Sequence, residues 1–417
     1  MARSELSVVP VWGVALACLS LCSLALVACG GLDVTPVFDA ALPDVGVPDA
    51  GAPADLGPDL GPPADVEGFL DYEMRVGGMR GLAAAIVQDG VVARVYTRGM
   101  ASETSAVDEH TLFVAASISK TFVGALLLQL AAEGRLDLDA PLDEVLGFPA
   151  RNPDFPAEPL SVRMLMTHTS GLIDDFGTLA GYTVSDGMDP TMTLDEVARG
   201  YLAVPAHFDA APGAAYSYCN AGFGVLGRVV ELASGEDLRT LSEARLFGPL
   251  ALDGAGWFYA DVDASRLATE YIWNQRTNVY TPQPQRNYAH YPATSLRVSV
   301  TGLARWLLVY TGAGTLDGVR VLDPASFAET QIVTYPAVRS NQALVWYYTT
   351  QGGHRWLGHG GSSVGSSNQL LYDPDTGRGL VVLTNSDAYI RERLGHAEGA
   401  DAIDAIIGRL DAEANTL

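Results

Sequence analysis

The stretch Val114 to Phe122, V-A-A-S-I-S-K-T-F, holds the only lysine in 417 residues; the other 24 cationic side chains are arginine. A chain that meets its salt-bridge needs with arginine does not need lysine for charge. Lysine can do one thing that arginine cannot, which is to lose its proton near neutral pH when desolvated. Ser117-Ile118-Ser119-Lys120 is also an S-x-x-K motif. The run that follows, F-V-G-A-L-L-L-Q-L-A-A-E, is nearly all apolar and predicts a buried helix from Ser117 to about Gly134. Residues three apart on a helix share a face, so the Ser117 hydroxyl and the Lys120 amine can meet. Ser117 would lie in the first turn, where free N–H groups favour a developing oxyanion. The same positive end, with the apolar flank of Phe122 and Val123, is expected to depress the lysine pKa toward that of a useful base.

The rest of the chain sets bounds on this chemistry. Hydrophobic residues make up 48% of it, enough for a large core. The net charge of −24 argues against nucleic acid as a partner. The N-terminus carries a largely apolar run from Val8 to Ala28 that ends in Leu26-Val27-Ala28-Cys29. Small residues ahead of a cysteine resemble the bacterial lipobox, in which cleavage leaves Cys29 as a lipidated first residue. An uncleaved membrane anchor stays open, because 21 such residues are long enough to span a bilayer. On either reading the protein is exported and held at a membrane of the cell envelope. Residues 30–66 hold seven Asp and no Lys or Arg, in a Pro/Asp/Gly/Ala-rich setting that reads as a disordered tether. Its 37 residues would span roughly 35 Å as a coil. Residues 67–417 form the globular part, which is expected to act as a monomer.

Within that part, the run from Gly81 to Gly99 reads as a β-hairpin turning at Asp89-Gly90. Residues 136–290 read mostly as helix and loop, including a helix after Asn220 that ends at Gly235. Strands return with N-Q-L-L-Y and G-L-V-V-L-T-N, and a last helix covers about Tyr389 to Leu410. Strands at both ends with helices between predict one α/β layer built from both termini, carrying an inserted helical region.

Two further motifs join the first. Tyr218-Cys219-Asn220 is a Y-x-N just before a helix, although Asn220 as a simple helix cap and Tyr218 as core would explain the same letters. His359-Gly360-Gly361 enters a strand, where small residues let a substrate backbone approach the edge. In order and spacing the three motifs resemble the serine β-lactamase and penicillin-binding-protein superfamily, on its class C side. M-L-M-T-H-T-S-G-L (164–172) and Y-D-P-D-T-G-R-G-L-V-V-L-T-N agree, so the resemblance covers about Glu67 to Leu410.

The resemblance implies a β-lactamase-like fold with a central antiparallel sheet flanked by helices. It implies an acyl-enzyme on Ser117, proton transfer through Lys120 and Tyr218, and Asn220 orienting Lys120 and the substrate amide. Backbone N–H groups of Ser117 and Ser362 would form the oxyanion hole, with His359, Gly360, Gly361 and Ser362 as the substrate-binding strand. It implies no cofactor and no metal, and a small-molecule or peptide substrate: an ester, a D-alanyl peptide or a β-lactam. His168 to Gly171 would be structural. A non-hydrolytic protein that binds wall peptides or a partner is the rival from another class.

The third motif departs from the K-T-G of class C β-lactamases. A mostly neutral His359 lacks the fixed cation that helps bind a substrate carboxylate, which favours esterase-like or peptidase-like chemistry over β-lactam turnover. Gly361-Ser362-Ser363-Val364-Gly365 matches the letters of a G-x-S-x-G elbow, but strand and turn residues follow it rather than a helix. His354 and His359 lack metal-ligand company. Tyr182, Trp273, Tyr291 and Arg297 are candidate substrate-shaping side chains.

Overall fold

A computed structural model describes residues 61–351 and 354–417. Cys29, the apolar N-terminal run and the part of the expected tether up to residue 60 lie outside the described residues. The globular part was expected to begin at 67. Helix α1 (Val66–Val76) starts one residue earlier because the Asp65 carboxylate caps it, accepting from the Gly68 N–H at 2.7 Å.

The expected hairpin is β1 (Gly81–Gln88) and β2 (Val91–Gly99), with Asp89 and Gly90 both at positive φ in the turn. Four strands from the other end of the chain complete its sheet: β3 (Tyr347–Gln351), β4 (His354–Ser363), β5 (Ser366–Tyr372) and β6 (Gly379–Thr384). The order is β3-β4-β5-β6-β1-β2 and every pairing is antiparallel, so β1 against β6 joins the two termini.

The wholly apolar run of β1 reflects a sheet covered on both faces. Leu82, Ala84 and Ile86 point to one side, where α1 and the last helix, α5 (Glu398–Ala414), lie. Ala83, Ala85 and Val87 point to the other. There helix α4 (Val300–Thr311) lies between the sheet and α2 (Ser119–Ala132). Trp306 of α4 stacks on Phe122 of α2 with ring centroids 4.1 Å apart, and its indole N–H donates to Thr121 Oγ1 at 3.0 Å. Helix α3 (Asn220–Ser234) packs against α2 from the inserted region and ends, as expected, at Gly235 in the left-handed conformation.

Two local expectations are corrected and one alternative reading is excluded. Ser117 is not in an α-helical turn: Ala116–Ile118 form a 3₁₀ turn ahead of α2, entered through Ala116 at φ +49°. Asn220 does not cap α3. Cys219 does, its sulfur accepting from the Gly222 N–H at 3.3 Å, and Asn220 is the first helical residue. The last helix is split in two, Ala388–Arg393 and α5, by Gly395 at φ +90°.

Candidate active site

Ser117 and Lys120 are both wholly buried where the 3₁₀ turn meets α2. In its ammonium form Lys120 Nζ donates to Ser117 Oγ at 2.9 Å, to Asn220 Oδ1 at 2.7 Å and to the Ala293 carbonyl at 2.7 Å. The Tyr218 hydroxyl donates to the same Ser117 Oγ at 2.9 Å. The four residues expected from the motifs are therefore linked in one hydrogen-bonded chain, Tyr218–Ser117–Lys120–Asn220, though Tyr218 lies 101 residues from Ser117 in sequence.

The contact set carries chemical information. Asn220 Oδ1 and the Ala293 carbonyl can only accept. When the lysine is a neutral amine these two acceptors can take its two N–H bonds, which leaves its lone pair to accept from the Ser117 hydroxyl at 2.9 Å. That is the geometry of a base within reach of a nucleophile.

Two partners in this cluster had no signal in the sequence. One is the main-chain carbonyl of Ala293. Its segment reaches Lys120 because α3 carries glycines where it passes: a Cβ on Gly227 would lie 2.5 Å from Pro292 Cγ, and one on Gly224 would lie 3.0 Å from His290 Cβ. The other is Asp174. Its Oδ2 accepts from the Asn220 N–H at 2.9 Å and from Asn220 Nδ2 at 2.8 Å, and its Oδ1 accepts from the Ala221 N–H at 3.0 Å. Because Asp174 takes the amide's nitrogen, Asn220 must turn its oxygen to Lys120. Burial raises the Asp174 carboxyl above its ordinary value although these hydrogen bonds pull it down.

His168 is a support, as expected. Its ring lies 4.1 Å from that of Tyr218, and its Nδ1 accepts from the Cys219 N–H at 3.2 Å. Burial first, then the charge of Lys120, drives its pKa well below the ordinary value, so it is neutral. Cys219 is buried and its thiol is pushed well up, chiefly by desolvation.

Strand β4 brings the third motif to the nucleophile. A Cβ on Gly361 would lie 2.2 Å from the Ala115 carbonyl oxygen, so only glycine allows the strand to lie against the residues that precede Ser117. His359 is buried, its Nδ1 is 2.7 Å from the Gly360 carbonyl, and burial, then Lys120, pushes its pKa down to about 3. It is neutral more firmly than its unperturbed value suggests. Gly361 to Ser363 belong to β4 and β5 follows within a tight turn, so the G-x-S-x-G letters form no nucleophile elbow.

Of the four candidate shaping residues, two are structural. Arg297 is buried and its guanidinium donates to the carbonyls of Trp257, Ser295 and Arg286. Trp273 is buried, with its indole N–H on Asn278 Oδ1 and Arg391 over its ring. Tyr291 is also buried, edge-on to Trp257 and Phe258, and Tyr182 is half-buried beside His290. Among the described residues no group of three or more His, Cys, Asp or Glu is placed to hold a metal ion.

A buried serine between a lysine and a tyrosine, in a 3₁₀ turn beside a strand of an antiparallel sheet, defines a class of serine hydrolases. The chain belongs to the beta-lactamase family, whose family model matches residues 66–405. It is 26% identical over 348 residues to penicillin-binding protein 4 of Amycolatopsis lactamdurans, covering 76% of this chain and 86% of that protein. It is 32% identical over 232 residues to esterase EstB of Burkholderia gladioli, covering 54% of this chain and 56% of that one. Among solved structures, D-amino acid amidase from Ochrobactrum anthropi superposes with a TM-score of 0.66 at 19% identity, covering 84% and 98% of the two chains. An octameric penicillin-binding protein homologue from Pyrococcus abyssi does so with 0.66 at 22% identity, covering 80% and 77%. At these identities the structures establish a shared fold.

Proposed function

We propose that the protein hydrolyses small uncharged esters or amides through an acyl-enzyme on Ser117. The observation that carries this is the contact of Ser117 Oγ with Lys120 Nζ at 2.9 Å and with the Tyr218 hydroxyl at 2.9 Å, which sets a base and a proton donor against one nucleophile. Lys120 takes the Ser117 proton as Oγ attacks the carbonyl carbon. The oxyanion is received by the main-chain N–H groups of Ser117 and Ser362. Tyr218 hands a proton to the departing alcohol or amine and is reprotonated from Lys120. Water then attacks the ester by the reverse relay and frees the acid.

The choice of uncharged substrates rests on His359. Its neutral ring supplies no cation for a carboxylate, and a missing charged hydrogen bond costs about 1.5–3 kcal/mol, roughly ten- to a hundredfold in rate. Short p-nitrophenyl esters should therefore be turned over faster than a chromogenic cephalosporin or a D-Ala-D-Ala peptide. Cephalosporin turnover far above ester turnover would refute this. Stoichiometric acylation without turnover of any of the three would favour the penicillin-binding reading, which the relative from Amycolatopsis keeps in view.

Two further parts belong to the proposal. Leu26 to Cys29 support export and a lipid anchor at Cys29. Ser117, Lys120, Tyr218, Asn220 and Asp174 all come from one chain, which supports a protomer that is active by itself.

A further inference from the structure

Strand β4 pairs with β3 only as far as Gly358, which lies opposite Tyr347. From there to Ser362 one edge of β4 runs past the end of β3, while the other edge stays paired with β5. Alternate residues of an antiparallel strand aim their N–H and C=O groups to the same side. Gly358, Gly360 and Ser362 therefore share the edge that β3 leaves open. An extended substrate held by the Ser362 N–H would add to this edge as a strand, taking its next rung at Gly360.

That rung is filled from within. The Gly360 N–H donates to the Tyr347 hydroxyl at 2.8 Å. The Gly360 carbonyl is 2.7 Å from His359 Nδ1. A carbonyl only accepts, so Nδ1 carries the proton and the neutral ring presents Nε2 as an acceptor. The Tyr347 hydroxyl also lies 3.1 Å from where a Gly360 Cβ would be, so it closes over the glycine itself.

We infer that Tyr347, Gly360 and His359 form a specificity latch, which caps the open edge of β4 one rung from Ser362. It selects substrates with no peptide backbone along that edge, and it presents an acceptor where a carboxylate-ended substrate needs a donor. This inference rests on the hydrolase reading above and adds the residue, Tyr347, that restricts it.

The test uses the full chain and three esters: p-nitrophenyl acetate, the same ester with an acetylamino group on the acyl side, and an acetate ester of an N-methylglycolamide. The two extended esters cover both directions in which a substrate can run. In the wild type neither extension should raise kcat/KM by more than about twofold over the plain ester, compared by acid release. In Tyr347→Phe the Gly360 N–H is released, and one extended ester should gain roughly three- to tenfold relative to the plain one, the value of one added hydrogen bond. A wild type that already favours an extended ester tenfold overturns the latch, and so does a folded Tyr347→Phe whose ratios do not move. Should that variant not fold, the wild-type ratios decide alone. Failure of the wild type to cleave any of the three contradicts the hydrolase reading, and the latch falls with it.

Discussion

At the scale of single residues, Lys120 is the proposed base and Asp174 aims its partner Asn220. Lys120→Arg should lower kcat about 10²- to 10⁴-fold, because a guanidinium cannot take the Ser117 proton; a rate near wild type refutes the role. Asp174→Asn keeps the shape but leaves only one side-chain oxygen for N–H donors that now use two. It should lower kcat, and it should destabilise the fold by about 1–3 kcal/mol, read from the denaturant midpoint; neither effect appearing would sink the assignment. The His359 ring, pushed down to about 3 by burial and then by Lys120, does not become a cation near neutrality. The ratio of kcat/KM for a carboxylated ester to that for its neutral twin should therefore stay flat from pH 8 to 6, and a rise toward pH 6 would contradict this. The motif residues were legible because side-chain chemistry shows in the letters: a lone lysine three residues after a serine, and a tyrosine two before an asparagine. Asp174 was not, because its partner lies 46 residues away and Asp174-Asp175 reads as ordinary loop acid. Ala293 contributes a carbonyl, which every residue has.

At the scale of elements, two neighbouring glycines of β4 predict opposite outcomes. A methyl at Gly361 would meet the Ala115 carbonyl at 2.2 Å, so Gly361→Ala should displace the strand from the nucleophile, costing most activity and about 1–3 kcal/mol of stability. A methyl at Gly360 would meet the far end of Tyr347 at 3.1 Å, so Gly360→Ala should fold and stay active. Equal effects in melting and ester turnover would show that the close approach is not what Gly361 provides. The hairpin, α2, α3 and the closing strands were legible in their hydrophobic patterns and turn residues. The 3₁₀ turn at Ser117 was not. Alanine is a strong helix former, and the left-handed Ala116 is imposed by its surroundings. Gly395 at φ +90° is the physical reason that one expected helix is two.

At the scale of the whole molecule, the sheet joined from both ends of the chain was legible in the order of the elements, while the burial of single charged side chains was not. Glu270 is an example: burial raises its carboxyl to about 7 against the pull of Arg286 and Arg297. The folded state then binds its proton more tightly than the unfolded state, so its contribution to stability is full below the unfolded value of 4.5 and is lost as pH rises toward 7. Relative to Glu270→Gln, the wild type should lose up to about 1.4 kcal/mol per pH unit across that window, measured by denaturant unfolding; parallel pH curves would refute it. For location, a fatty-acid analogue fed to the producing cells should label the protein and fail to label Cys29→Ala, whereas a mature chain that retains Met1 would favour the uncleaved anchor. The central claim is that Ser117 is acylated. Incubating the full chain with a serine-directed phosphonate and mapping the adduct by peptide mass spectrometry tests it most directly. A single adduct on Ser117 that is absent from Ser117→Ala is expected, and an adduct on Ser362 or Ser363 instead would overturn the assignment.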